Sequence, residues 1–112
     1  PDVIRRDNVA RLKTKLVPQG ANIPFTAEAE RILHKAGTMV LPDFIANAGG
    51  VICASVEYHG GTQSQALRTI EEKIYANTEE VLAIAKKNGT LPRQAAVDLA
   101  EARVRKAMTY RK

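Results

Sequence analysis

Two short apolar runs, Leu16-Val17 and Met39-Val40-Leu41, flank a helical pattern, and that order constrains what the chain can fold into. The first run, Lys15 to Pro18, and the second, stopped by Pro42, read as strands. Between them Gln19-Gly20-Ala21-Asn22 is a loop, punctuated by Gly20 and Pro24. Thr26 is a credible N-cap, since its hydroxyl can accept a hydrogen bond from the first helical turn. Glu28 and Glu30 follow where carboxylates suit the positive end of the helix dipole. Ala29, Ile32, Leu33 and Ala36 give an apolar face, and Gly37 suits the position after a helix. Strand, helix and strand within about thirty residues match a βαβ unit. Such a unit implies a parallel sheet with a right-handed crossover.

The remaining segments read as helices. Val3 to Leu12 is a weakly periodic helix with Asp2 as its cap and Val9 and Leu12 facing a core. Asp43 to Tyr58 is mainly apolar, and its Asn47-Ala48-Gly49-Gly50 stretch is a loop becoming a helix that stops at Gly60-Gly61. Thr62 or Ser64 caps the next helix. Along it, Leu67, Ile70, Ile74, Asn77, Val81 and Ile84 alternate spacings of three and four, which puts them on one stripe. That helix runs to Lys87 and ends at Gly89; Thr90 caps another, with Pro92 in its first turn. Val97, Ala100, Val104 and Met108 form its expected apolar stripe.

Two short strands make a poor sheet, because their edges stay unpaired and little area is buried. The helical tail cannot cover both faces and both edges. The chain therefore reads as part of a larger α/β layer. Aromatics are only 4% and Trp is absent, so the core is built from Ala, Val, Ile and Leu. Pro1 stands where a full protein has Met, so a processed product or a piece of a longer protein is expected.

Composition excludes several classes. One cysteine, Cys53, allows no internal disulfide and no paired-cysteine metal site, and it reads as a small core residue in a reducing, cytoplasmic setting. No run of about 18 apolar residues marks a membrane span, and no signal peptide is visible. The net charge is +5, and from Arg103 to Lys112 there are five basic residues and no acidic one. Cations near a helix C-terminus interact favourably with its dipole. A nucleic-acid face would be expected to pair such a run with aromatic platforms, and Tyr110 is the only aromatic residue there. His34 and His59 lie on different elements without an obvious carboxylate partner, so no metal site is expected.

In an open α/β sheet, ligands bind beyond the carboxyl ends of the strands. The loops there are Gly20-Ala21-Asn22 and Asp43 to Gly50, and each carries an Asn among small residues. An Asn amide offers one acceptor and a donor group. A nicotinamide carboxamide offers the complementary pair, and glycine and alanine let a flat ring approach the backbone. Gly49-Gly50 sits where N–H groups of a helix start can face a polar ligand. A local turn would also account for Asn22, and an N-cap would account for Asn47.

The stretch LVPQGANIPFTAEAERIL, Leu16 to Leu33, resembles a block of the glutamate/leucine/phenylalanine/valine dehydrogenases. LPDFIANAGGVICASVEY, Leu41 to Tyr58, resembles a second block, in the same order. The resemblance implies the later half of a Rossmann-type parallel sheet followed by C-terminal helices. It divides the chain into residues 1–61, part of a nicotinamide-binding domain, and 62–112, a helical segment packed on it. Such enzymes interconvert an amino acid and its 2-oxo acid, release ammonia and reduce NAD or NADP. By the same resemblance Gly20, Ala21, Asn22 and Asn47 face the nicotinamide end of the cofactor, whereas Gly50, Val51 and Ala54 border the substrate. Ala54 stands where glutamate-specific members often carry Ser, which leaves an apolar amino acid open. The glycine-rich G-x-G-x-x-G turn does not occur in this sequence, and nothing matches the segment with the catalytic Lys and Asp. The expectation is a piece inactive alone, completed by an N-terminal part and by homo-oligomer partners. A helical interaction module is the rival reading, carried by the stripe from Leu67 to Ile84.

Overall fold

Leu16–Pro18 (β1) and Met39–Leu41 (β2) pair in parallel in the computed structural model, which describes residues 1–111. Val17 sits opposite Val40. The crossover helix is Ala27–Lys35 (α1), and the Thr26 hydroxyl accepts a hydrogen bond from the Ala29 N–H at 3.2 Å, as the sequence predicts. After β2 come Asp43–Ala46 (α2), Gly49–Tyr58 (α3), Gln63–Asn88 (α4) and Pro92–Met108 (α5). The fold is a helix-rich α/β arrangement on a two-stranded parallel sheet.

Alternation along β2 sends consecutive side chains to opposite faces. Val40 joins Val9, Phe25, Ala29 and Leu33 in one cluster. Leu41 joins Ile45, Val81, Ala85, Ala95 and Ala96 in the other, which ties α4 and α5 to the sheet. Val81 is fully buried there, and that burial contributes about 2 kcal/mol. Thr62 forms a capping box with Gln65, its hydroxyl accepting from the Gln65 N–H at 3.2 Å and its own N–H donating to Gln65 Oε1 at 2.7 Å. Gly89 ends α4 in the left-handed conformation, with φ 64°. At Gly61 any side chain would collide with Val56, so glycine is required for the tight turn between α3 and α4.

Several expectations are corrected. Val3 to Leu12 is not a helix: Ile4 bridges Phe25 in parallel, and only Val9–Arg11 forms a short 3-10 turn. Asn8 explains this, because its side chain accepts from the Arg5 N–H and donates to the Val3 carbonyl, and such local bonds compete with a helical ladder. Asp2, at φ 56°, is not a helix cap. The segment after Pro42 forms two helices, and Asn47 ends the first instead of capping the second. Thr90 caps nothing: Leu91 holds the N-cap position of α5, and the buried Thr90 hydroxyl has no hydrogen-bond partner among the described residues. The stripe Val97, Ala100, Val104 and Met108 is exposed, while α5 buries Pro92, Ala95 and Ala96. Alanines let α5 approach its neighbours closely, and that contact outweighs the bulkier but outlying Val and Met. Cys53 is half-buried on a helix that buries no residue, so it is not a core residue.

Arg103 of the basic run bridges to α4, donating to Asn77 Oδ1 at 3.1 Å and Glu80 Oε2 at 2.9 Å. Lys112, the last cation of that run, lies outside the described residues. Among the described residues, no helix is long and apolar enough to cross a membrane.

Candidate functional site

The loop after β1 and the loop after β2 meet at the carboxyl edge of the sheet. Asn47 Nδ2 donates to Asn22 Oδ1 at 2.7 Å. Among the described residues, Asn22 Nδ2 and Asn47 Oδ1 have no hydrogen-bond partner, so one donor group and one acceptor stay available side by side. Exchanging oxygen and nitrogen in both amides leaves the same pair of functions. Gly20 and Ala21 precede Asn22 on the exposed rim, and the space where a Gly20 Cβ would point is open. A planar carboxamide fits this arrangement chemically, because it carries the matching acceptor and donor. Gly50, Val51 and Ala54 are exposed on α3. Val51 is 77% exposed. Among the described residues, no side chain caps the start of α3.

Beneath the rim lies a polar cluster that the sequence reading missed. Gln19, Glu30 and Asp43 are all buried, at 2%, 5% and 7% exposure. Arg93, at the start of α5, reaches all three. Its Nε donates to both Glu30 oxygens at 2.9 and 2.8 Å. Its Nη2 donates to Gln19 Oε1 at 2.8 Å and Asp43 Oδ1 at 3.1 Å. Gln19 Nε2 closes the ring by donating to Glu30 Oε1 at 2.8 Å, and the Asp43 N–H donates to Gln19 Oε1 at 3.2 Å. The Arg93 guanidinium also lies 5.8 Å from the centre of the Phe44 ring. Two buried carboxylates against one cation are tolerable only because each also accepts hydrogen bonds.

The cluster reaches the loops directly. Asp43 Oδ2 accepts the Ile23 N–H at 2.8 Å, and Asp43 Oδ1 accepts the Phe44 N–H at 3.0 Å. Burial pushes the Asp43 carboxyl up, but the Ile23 and Phe44 N–H groups and then Arg93 outweigh it and hold the group below the usual aspartate range. Hydrogen bonding to Glu30 raises Arg93 above its ordinary value, against the opposing effect of burial. Sequence offered two signals for this cluster. Gln19 and Asp43 stand just past a strand's carboxyl end, Gln19 directly after Pro18 and Asp43 beyond Pro42, and Glu30 lies three residues from the buried Leu33 on one helix. Nothing local pointed to Arg93, which is 63 positions from Glu30 and 74 from Gln19.

A cavity of about 450 Å³ lies elsewhere, by the amino end of β2, lined by His34, Thr38, Met39, Leu82, Lys86 and Pro92. It contains none of the Asn or Asp residues above. Among the described residues, no group of three His, Cys, Asp or Glu side chains is placed to hold a metal ion.

The family model of the glutamate/leucine/phenylalanine/valine dehydrogenases matches residues 1–112. A glutamate dehydrogenase of Aeropyrum pernix is 42% identical over 120 aligned positions, covering 98% of this chain and 29% of that protein. A leucine dehydrogenase of Bacillus subtilis is 37% identical over 103 positions, covering 90% of this chain and 28% of its own length. The crystal structure of L-tryptophan dehydrogenase from Nostoc punctiforme superposes with a TM-score of 0.85 at 26% identity, over 96% of this chain and 33% of that one. The chain thus spans less than a third of the curated relatives it matches.

Proposed function

The chain belongs to the glutamate/leucine/phenylalanine/valine dehydrogenase family, and on that premise we propose that it forms the nicotinamide-facing wall of an enzyme that oxidatively deaminates an amino acid. Residues 1–61 are the later part of the nicotinamide-binding domain, and 62–112 are a helical segment packed on it. The observation that carries this reading is the Asn47–Asn22 hydrogen bond at the carboxyl edge of the sheet, which leaves a donor and an acceptor side by side. Asn47 Oδ1 accepts from the carboxamide NH2 of NAD or NADP, the Asn22 NH2 lies toward the carboxamide oxygen and the adjoining ribose, and Gly20 and Ala21 give the ring room. The bound cofactor would supply hydride acceptance from the amino acid, and the part of this chain is to hold and orient the nicotinamide. Gly50, Val51 and Ala54 form the substrate side of the wall. A deamination site needs cofactor and substrate held in register, and an N-terminal part supplies the catalytic Lys and Asp and the glycine-rich turn. This chain alone is inactive.

Asn47→Asp in the complete enzyme tests the reading. A carboxylate cannot donate to Asn22 Oδ1, so the Asn22 amide turns its NH2 toward it, and the pair then offers acceptors alone and no free donor for the carboxamide oxygen. The Michaelis constant for the nicotinamide should rise about tenfold, the scale of one lost hydrogen bond with its acceptor left unpaired. Unchanged cofactor affinity and unchanged turnover would refute the assignment.

The exposed stripe Val97, Ala100, Val104 and Met108 favours a second role for the same tail. Its apolar side chains suit contact with the rest of the enzyme or another subunit. Sedimentation of the complete enzyme carrying Val104→Glu should show a smaller assembly; an unchanged mass would exclude a subunit contact there.

A further inference from the structure

Ile23 carries a conformation that its own chemistry disfavours. Its φ is 49°, in the left-handed region, where a β-branched side chain is a genuine outlier. Packing does little to compensate, since the Ile23 side chain is 61% exposed. The strained peptide is gripped from both sides instead. Its N–H donates to Asp43 Oδ2 at 2.8 Å, and its carbonyl accepts from the Asp2 N–H at 2.8 Å. Ile23 directly follows Asn22, so the direction of the Asn22 amide depends on this turn. Asp43 opens α2, the short helix that Asn47 closes. A single carboxylate therefore touches the loop of one Asn and begins the helix that ends at the other.

We propose that Asp43, held by Arg93, is a positioning residue for the cofactor, acting by keeping Ile23 in its left-handed turn so that Asn22 meets Asn47. Resting on the reading of these two Asn residues as the nicotinamide contact, this assigns a positioning task to residues that touch neither cofactor nor substrate. Among the described residues, Asp43 Oδ1 is occupied by the Phe44 N–H and Arg93 Nη2, and Oδ2 is left for Ile23 alone. Arg93 thus fixes which oxygen faces the turn. The rest of the Arg93 fork, on Glu30 and Gln19, anchors the guanidinium itself.

Asp43→Asn separates this task from general stability. An amide there turns its oxygen toward Arg93 and Phe44, the side with two donors, and sets its NH2 against the Ile23 N–H. Left-handed strain then works against the Asn22 position. Ile23→Gly removes that strain, since glycine adopts positive φ freely. Four complete enzymes decide it: wild type, D43N, I23G and the double variant, each assayed for cofactor KM, kcat and melting temperature. D43N should raise cofactor KM about tenfold with a smaller change in kcat, the factor matching the cost of one left-handed non-glycine residue. In the I23G background the same change should raise KM no more than about threefold, while the melting-temperature loss persists in both backgrounds. An equal KM penalty in both backgrounds, or none in either, overturns the proposal. Asn22→Ala is measured alongside: if it leaves KM unchanged, the reading of the Asn pair fails and takes this inference with it. If Asn22→Ala raises KM but D43N does not, only the inference fails. Should D43N not accumulate folded, Arg93→Lys keeps a cation and loses the fork. A KM rise of about threefold that I23G abolishes then supports the proposal, and a rise that I23G leaves intact overturns it.

Discussion

The two loops at the carboxyl edge and the outer side of α3, which follows the second loop directly, are built on opposite principles. The edge is underpinned by three nearly buried polar side chains and one arginine, all hydrogen-bonded to one another or to loop backbone. Helix α3 buries no residue at all, and Gly50, Val51 and Ala54 are exposed on it. One region is bonded internally; the other is open on its outer side. In the proposed reading, the first region takes the nicotinamide cofactor, whose structure does not change with the amino acid. The second takes the substrate, whose side chain differs among relatives named for glutamate and leucine. A rigid internal frame suits the constant task, and a helix face free of packing duties suits the variable one.

Arg93→Met is the strongest way to break that comparison. It leaves the buried Glu30 and Asp43 without their cation. Breaking a buried pair costs about 3–5 kcal/mol, and the lower end applies because the Arg93 side chain is 35% exposed. Urea unfolding should therefore show a loss of about 3 kcal/mol. A loss under about 0.5 kcal/mol would mean the frame is ornamental and the two regions are alike.

Acid should undo the same frame, by a smaller amount. Asp43 has a folded pKa below its unfolded value, so its contribution is fully present above about pH 3.9 and drains away as the pH falls through the folded value. Melting temperatures measured at pH 7 and across the acid range should fall below about pH 4. In D43N that part of the fall should be missing, because an amide does not titrate. An identical acid profile in both proteins would assign the loss to other carboxylates.

The sequence disclosed one region better than the other kind of information behind it. Local signals were enough for the βαβ order, the Thr26 and Thr62 caps, the Gly89 terminus and the two Asn residues at one edge. Each rests on contacts within a few residues or on the topology of a parallel sheet. The Arg93 cluster joins residues up to 74 positions apart, and no periodicity encodes that. The face of α5 was misread for a related reason. Val97, Val104 and Met108 are more hydrophobic than Ala95 and Ala96, but burial followed the closeness of approach to α4 and β2, which favours the smaller residues. Ile23 runs against propensity altogether, since only the tertiary grip of Asp43 and Asp2 holds it left-handed. Such local contradictions are expected where structure is committed to function.

The outer side of α3 yields the smallest effect on stability and the sharpest test of the comparison. Ala54 is exposed on a helix whose alanine-to-serine cost is only a few tenths of a kcal/mol. Ala54→Ser should thus leave the unfolding free energy within about 0.5 kcal/mol of wild type. In the complete enzyme the new hydroxyl should nevertheless shift the ratio of kcat/KM for glutamate over leucine upward by about tenfold, since a site that hydrogen-bonds a substrate group discriminates for it. Ser55 does not already serve, because adjacent helical residues point about 100° apart. A stability loss above 1 kcal/mol would show that the outer side of α3 carries packing duties after all. An unchanged preference with unchanged stability would place substrate choice elsewhere and reduce the outer side of α3 to a bystander.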